Sequence, residues 1–575
     1  MQRSTMRAVI TILLGTLGLL FAASAHAQYS DNFQTNIISG VISNWSGDYN
    51  IGYPNFADAL LIQSGGVLSD SSGSMGNGGG RAGQGDNVAV VSGSGSVWNN
   101  SGSLNVGNGT DNNQLLVTNG GAVYSVGGSI GGGYISESNT VLVTGTGSVW
   151  SNAAGLSMSG LYPDGNSLII AVGGAVYNGS VDVGGYQGGY GNIILVTGSG
   201  SMWSTGSLSL GGESQNTMTI SNGGVVNSSS SSMGGEPGQL VLVAGKGSVW
   251  NSGGLSIESI YRSSLIISDG GAVYSSGVLL RNDYGSLVLV TGSGSVWDIQ
   301  SSLDVAGLSS SVTASNGGAV IAGDVYSDAG NYITISGGAL FVTNGLGSGS
   351  LVVSGTLMFN SGTLATRATT INNGSVFTVG DGVNQATFIM EPGGSGFHSF
   401  ANGLTISSNA VLKGVGTIIG DTVVNPGGTL SPGDAPGSIT FSNSLTLAPG
   451  STFAVELDGA GEGQYSRLVG FDTLSVSNSI LSVALGYTPS AGDTFTIISN
   501  LSATAVLGTF VDPDGTALTE GAEFVVDGTT FQIDYTANAD GQDVVLTALI
   551  PEPSSLLLAS LAALLLCPLL KRRRA

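Results

Sequence analysis

Acid–base and nucleophilic chemistry need titratable side chains gathered at one place, and this chain of 575 residues supplies few. It has one cysteine, Cys567, and two histidines, His26 and His398. Thiol catalysis, a disulfide and a cysteine-based metal site are therefore not expected, and no cofactor or metal is implied. Nothing beside His398 forms a triad or a metal cluster, so it reads as a bystander. Asp512-Pro-Asp-Gly515 and Asp540-Gly-Gln-Asp543 have some of the residue types of calcium ligands. Turn formation by Asp-Gly accounts for them better.

The chemistry that the repeats do offer is aromatic. Trp98, Trp150, Trp203, Trp250 and Trp297 end five near-copies of one phrase, such as Val143-Thr-Gly-Thr-Gly-Ser-Val-Trp150. Tyr124, Tyr177 and Tyr274 end copies of a second, such as Val117-Thr-Asn-Gly-Gly-Ala-Val-Tyr124. Rings repeated along one wall would present flat apolar faces with polar edges, suited to sugars or to a second rod. Laying the two phrases end to end gives an aliphatic row, Leu68, Val97, Val123, Val149, Val176, Met202, Val226, Val249, Val273, Val296, Val320 and Leu340. The aromatic row is its neighbour, interrupted by Ser69 and Asn227. Buried Ser or Asn would need partners, so the aliphatic row is expected inside and the aromatic row outside, as a ligand-contact surface. The converse, rings inward with Ser69 and Asn227 as exceptions, is the alternative.

The elements that would carry these rows follow from the period. Successive members stand 20 to 29 residues apart, and each unit holds two or three short Val-, Ile-, Leu- and Thr-rich runs between Gly, Asn and Ser. Such runs are strands, and units that cannot bury their apolar side alone must stack. The prediction is an all-β, right-handed parallel β-helix, with a repeat rod of roughly 50–60 Å at the inter-strand spacing. A β-propeller would need about 40–50 residues per blade. The 47- to 53-residue double unit has that length, but its two halves align with each other.

In chain order, residues 1–27 form a signal peptide: Arg3 and Arg7, an apolar run, then Ala25 and Ala27 around the cleavage site of a signal peptidase. Residues 28–63 are expected to cap the solenoid and 64–345 to form its repeats. The 13 Lys and Arg face 36 Asp and Glu over the whole chain. Between Gln28 and Ile550 only Arg81, Lys246, Arg262, Arg281, Arg367, Lys413 and Arg467 remain, against 35 acids, a formal −28. Electrostatics exclude nucleic acid as a partner. A polysaccharide lyase or glycosidase would need carboxylates, with or without a basic neighbour, clustered on adjacent rungs. The seven cations are scattered and no acid recurs at a fixed repeat position, so no enzyme is expected; a carbohydrate-active enzyme on the same scaffold is the alternative.

The repeat phrases ending in Trp or Tyr look like the repeat family shared by autotransporters and PEP-CTERM proteins, and two further stretches carry a family resemblance. Leu412-Lys-Gly-Val-Gly-Thr-Ile-Ile-Gly-Asp-Thr-Val-Val-Asn-Pro-Gly-Gly-Thr-Leu-Ser-Pro-Gly433 is similar to the wording of autotransporter passenger domains near their C-terminal end. The resemblance implies a degenerate β-helix over 346–460 and a sandwich-like β cap over 461–550; the chain departs from that family in that no ten-residue alternating membrane strands are expected after it. The last stretch, 551–575, closely resembles the PEP-CTERM sorting signal: Pro551-Glu552-Pro553, an apolar helix over 556–570, then Lys571, Arg572, Arg573 and Arg574. Four cations would hold that tail on the cytoplasmic side of a membrane. The resemblance implies cutting near the motif by an exosortase-type protease, through an inner-membrane intermediate, and delivery to the cell surface or extracellular matrix. The expected function is a structural or adhesive β-solenoid that contacts exopolysaccharide.

Overall fold

The computed structural model describes residues 29–549 apart from short stretches (78–84, 134–135, 159–164, 186–190, 213–214, 236–237, 260, 283, 344, 346–347, 394, 434–435, 503 and 538–541). The signal peptide and the sorting tail, with Ala25, Ala27, Pro551, Glu552, Pro553 and Lys571 to Arg574, lie outside the described residues.

The chain winds into a parallel β-solenoid of the right-handed type, of about 17 turns. Each turn lays one strand on each of three ladders. On the first, Gln114–Thr118 sits between Val88–Ser92 and Thr140–Thr144. On the second, Ala122–Ser125 sits between Val97–Asn100 and the start of Val149–Met158. On the third, Gly127–Gly132 pairs with Ser103–Asn108 and with the end of Val149–Met158. From Val149–Met158 to Val296–Gly307 the second and third strands run on as one strand of 9 to 12 residues. Side chains alternate in and out along each strand. On the first ladder this buries Leu115 and Val117, Val141 and Val143, Leu168 and Ile170, and so on along the rod.

Two corner designs alternate, and they set the phase of the strands after them. After Thr118 the chain turns through Asn119 (φ 53°), Gly120 (φ 82°) and Gly121 before the strand resumes at Ala122. Gly121 is obligatory by contact: a Cβ there would run into the Val91 carbonyl of the preceding turn. After Thr144 the corner is longer by one residue, Gly145, Thr146, Gly147 and Ser148, and the strand resumes at Val149. Ser148 is fully buried. Its hydroxyl donates to the Thr144 carbonyl (2.8 Å) and accepts the Gly120 N–H of the turn below (3.0 Å). Ser201 and Ser248 repeat both bonds.

That extra residue corrects the register drawn from the sequence. Val149 pairs with Ala122 and Trp150 with Val123, so the two phrases are offset by one. A one-residue slip exchanges the two faces of a strand. The inward row is therefore Leu68, Trp98, Val123, Trp150, Val176, Trp203, Val226, Trp250, Val273, Trp297, Val320 and Leu340, all 2% exposed or less. Val97, Val149, Met202, Val249 and Val296, placed inside by the sequence reading, are half-exposed.

The third corner holds a ladder of buried amides. Asn87, Asn113, Asn139 and Asn166 stand on successive turns, each fully buried. The Asn113 backbone N–H and Nδ2 donate to Asn139 Oδ1 (2.9 and 2.8 Å), and those of Asn139 to Asn166 Oδ1 (2.9 and 3.1 Å). Asn192, Asn216, Gln239 and Ser263 continue the row through backbone N–H donors. A buried amide is tolerable only when its donors and acceptors are met, and from Asn87 to Asn166 the rise of one turn meets them, whereas Asn192 Oδ1 is left without a partner among the described residues.

At the start, Thr35–Ser39, Ile42–Asn44 and Tyr49–Ile51 already pair in parallel with the next turn. Residues 35–51 thus already form a turn of the coil. Parallel pairing continues through 346–460 to Arg467–Gly470 against Thr494–Asn500. There the direction changes: Asp543–Ala548 joins Thr494–Asn500 antiparallel, followed by Thr529–Ala537 and Glu523–Val526. No helix occurs among the described residues.

Candidate functional site

Correcting the register splits the aromatic row by residue type. Trp98, Trp150, Trp203, Trp250 and Trp297 are in the core, fully buried, and leave the ligand-contact surface. Tyr124, Tyr177 and Tyr274 stay outside, 45%, 38% and 43% exposed. Tyr177 stands two turns from Tyr124 with Ser151 between them, and Tyr274 four turns further on, past Ser204, Asn227 and Asn251. At the inter-strand spacing these gaps are ~10 and ~19 Å. Asn227, the exception to the aromatic row, faces outward in register with the tyrosines.

Where that outer row meets the bend into the third ladder, a groove of about 430 Å³ opens. Asn227, Asn251, Tyr274, Ser276 and Gln300 are among its walls, and Thr205, Ser228 and Ser252 sit deeper in it. Its floor is tied to the core: Trp250 Nε1 donates to Ser228 Oγ (3.2 Å), and the Ser252 hydroxyl shares its one hydrogen between the Gly254 carbonyl (2.8 Å) and Ser231 Oγ (3.0 Å). On the rim, Asn251 Nδ2 donates to Asn227 Oδ1 (2.8 Å), and Ser276 hydrogen-bonds the Gly253 carbonyl. Among the described residues the lining is hydroxyls, amides and one phenol ring, without a charged group. Such a surface can hydrogen-bond and stack on a neutral, hydroxyl-rich ligand, and holds no acid or base for proton transfer.

Titratable groups elsewhere are explained by structure. His398 is fully buried, its Nδ1 3.1 Å from Thr369 Oγ1 and its ring edge-on to Phe388; burial lowers its pKa to about 4. Burial raises the Asp304 carboxyl. Burial also pushes Asp324 up, but hydrogen bonds from Ser348 and Ser350 outweigh it and leave that carboxyl below its usual range. Two carboxyls driven apart is a glycosidase pattern. Here, however, Asp324 Oδ1 takes Ser348 Oγ (2.7 Å) and the Ser350 N–H (2.9 Å), which makes it a clamp on a corner. Asp512 caps its own turn, accepting the Asp514 and Thr516 N–H groups. Asp543 Oδ1 accepts the Asn500 N–H, while Asp540 lies outside the described residues. Among the described residues no group of three His, Cys, Asp or Glu could hold a metal ion. Nor is any helix among them long and apolar enough to cross a membrane.

The sequence reading missed the groove, because Thr205, Ser228, Ser252 and Ser275 come together only through stacking. It also missed the amide ladder, whose signal was in view: an Asn one residue before an alternating apolar run, at Asn87, Asn113, Asn139, Asn166, Asn192 and Asn216.

No family model and no curated protein matches the chain. Among solved structures, the crystal structure of a TibC-catalysed hyper-glycosylated TibA fragment is similar, with 13% identity over 81% of this chain and 100% of the fragment, and a TM-score of 0.24. At that identity and score nothing about ligand or activity passes from the fragment to this chain.

Proposed function

We propose that the protein is an exported, non-catalytic structural or adhesive β-solenoid of the bacterial cell surface or exopolysaccharide matrix. The observation that carries this is the uncharged hydroxyl and amide groove beside Tyr274, on a rod whose acids are otherwise spread. A rigid coil holds Tyr124, Tyr177 and Tyr274 at fixed strides, which suits a linear glycan lying along the rod better than a small metabolite. Export by signal peptidase cleavage after Ala27 and processing by an exosortase-type protease at Pro551-Glu552-Pro553 belong to the same proposal. They rest on the terminal sequences alone.

Affinity electrophoresis of residues 28–550 in gels containing a neutral glucan tests the wall. Retardation that Tyr274→Ala and Tyr177→Ala weaken supports the reading; migration indifferent to every neutral glucan removes it. The alternative, a carbohydrate-active enzyme, has one foothold in Asp304 and Asp324. Reducing ends released from polysaccharide, and lost in Asp304→Asn, would establish it instead. Intact-mass analysis of surface material from the native host reports processing: the mature protein should lack residues 556–575.

A further inference from the structure

A second depression, of about 390 Å³, lies on the third corner and is lined by Gln215, Gly238, Tyr261, Arg262 and Tyr284. Its composition is unlike that of the neutral groove. Tyr261 and Tyr284, on adjacent turns, stack at 5.8 Å and 16°, yet stay 45% and 64% exposed. Gly238 leaves room between the turns, since a Cβ there would run into the Arg262 carbonyl. Arg262 is one of seven cations between Gln28 and Ile550. Its Nε donates to the Tyr284 carbonyl (3.4 Å), which ties the guanidinium to the tyrosine stack, and no carboxylate of the described residues forms an ion pair with it.

We propose that this corner is a subsite for a carboxylated sugar of an acidic polysaccharide. A guanidinium offers a planar fork matched to a carboxylate. A stacked pair of exposed phenol rings offers an apolar face for the C–H side of a pyranose. Both groups are tied to one corner, so little side-chain freedom remains to be lost on binding. On a rod of formal charge −28 over this span, an acidic polymer is repelled along most of its length, and this corner gives it a local anchor. The inference shares its ligand class with the proposed function and uses different residues, so the two fail separately.

The probe is oligogalacturonate, titrated calorimetrically into residues 28–550 at low and high salt, beside a neutral glucan. Binding should fall about tenfold or more in Arg262→Gln, as for loss of a charge-assisted hydrogen bond. It should fall likewise in Tyr284→Ala, be indifferent to Tyr274→Ala, and weaken with salt. Arg262→Lys keeps the charge without the fork, and should recover only part of the loss. Binding of the neutral glucan alone overturns the acidic subsite and leaves the tyrosine wall standing. Oligogalacturonate binding unchanged in both Arg262→Gln and Tyr284→Ala also overturns it, since the anchor would then lie elsewhere.

Discussion

Trp98 Nε1 donates to Asp70 Oδ2 across one turn of the coil, at 2.6 Å, inside the solenoid. Asp70 is 7% exposed, and its other oxygen has no hydrogen-bond partner. Burial raises its carboxyl to about 7, against the lowering effect of the Trp98 bond, with Asp48 adding repulsion. Trp203 makes the equivalent bond to Asn178 (2.7 Å) and Trp250 to Ser228 (3.2 Å). For these three indoles one position, on the turn below, supplies the acceptor as Asp, Asn or Ser, whereas Trp150 and Trp297 Nε1 are buried without a hydrogen-bond partner among the described residues.

The pH dependence follows from that carboxyl. Its folded value lies above its unfolded value of 3.8, so the stability it allows is fully present below about 3.8 and is lost as pH rises through about 7. Asp70→Asn, which keeps an acceptor for Trp98, should melt higher than the wild type at pH 8 and match it near pH 4. His398 acts oppositely, because its pKa is lowered from 6.5 to about 4. Its contribution is present above 6.5 and is lost as pH falls through about 4. The comparison is therefore variant against wild type at each pH, with thermal melts as the readout. A variant difference that stays constant from pH 4 to pH 8 would put the Asp70 carboxylate in water.

Five of the six tryptophans are in the core, and Trp45 is half-buried. Emission should be blue-shifted and largely resistant to acrylamide, and indifferent to added polysaccharide. Trp203→Ala should cost about 3–5 kcal/mol through its cavity, whereas Tyr177→Ala, on the outer wall, should stay within about 0.5 kcal/mol. Urea unfolding measures both. Equal losses would mean that the two rings share one environment.

The amide ladder makes a third prediction. Asn139→Ala leaves the Asn113 backbone N–H and Nδ2 without their shared acceptor, and should cost about 1–3 kcal/mol. Amide hydrogen exchange should quicken at Asn113 and its neighbouring turns first, because a solenoid loses structure through its nearest-neighbour interfaces. Exchange that quickens evenly along the whole rod would show that the ladder is not a local device.

Repeat period and strand chemistry are properties of local composition, and for that reason the sequence by itself determined a stacked all-β coil. Val, Ile and Leu on alternate positions of runs such as Gln114–Thr118 can be buried only by another such run. Facing was different. Val149 and Val123 look equivalent in writing, yet Ser148 occupies one extra place in its corner and shifts the following strand by one residue against its neighbours. Only the pairing of turns decides which of Val149 and Trp150 points inward, because side-chain facing has period two and a single inserted residue reverses it. The same stacking brought Thr205, Ser228 and Ser252 from successive turns into one groove, and Tyr261, Arg262 and Tyr284 onto one corner. Residues more than twenty positions apart meet there by the rise of a turn, a distance that exists only once the coil has closed.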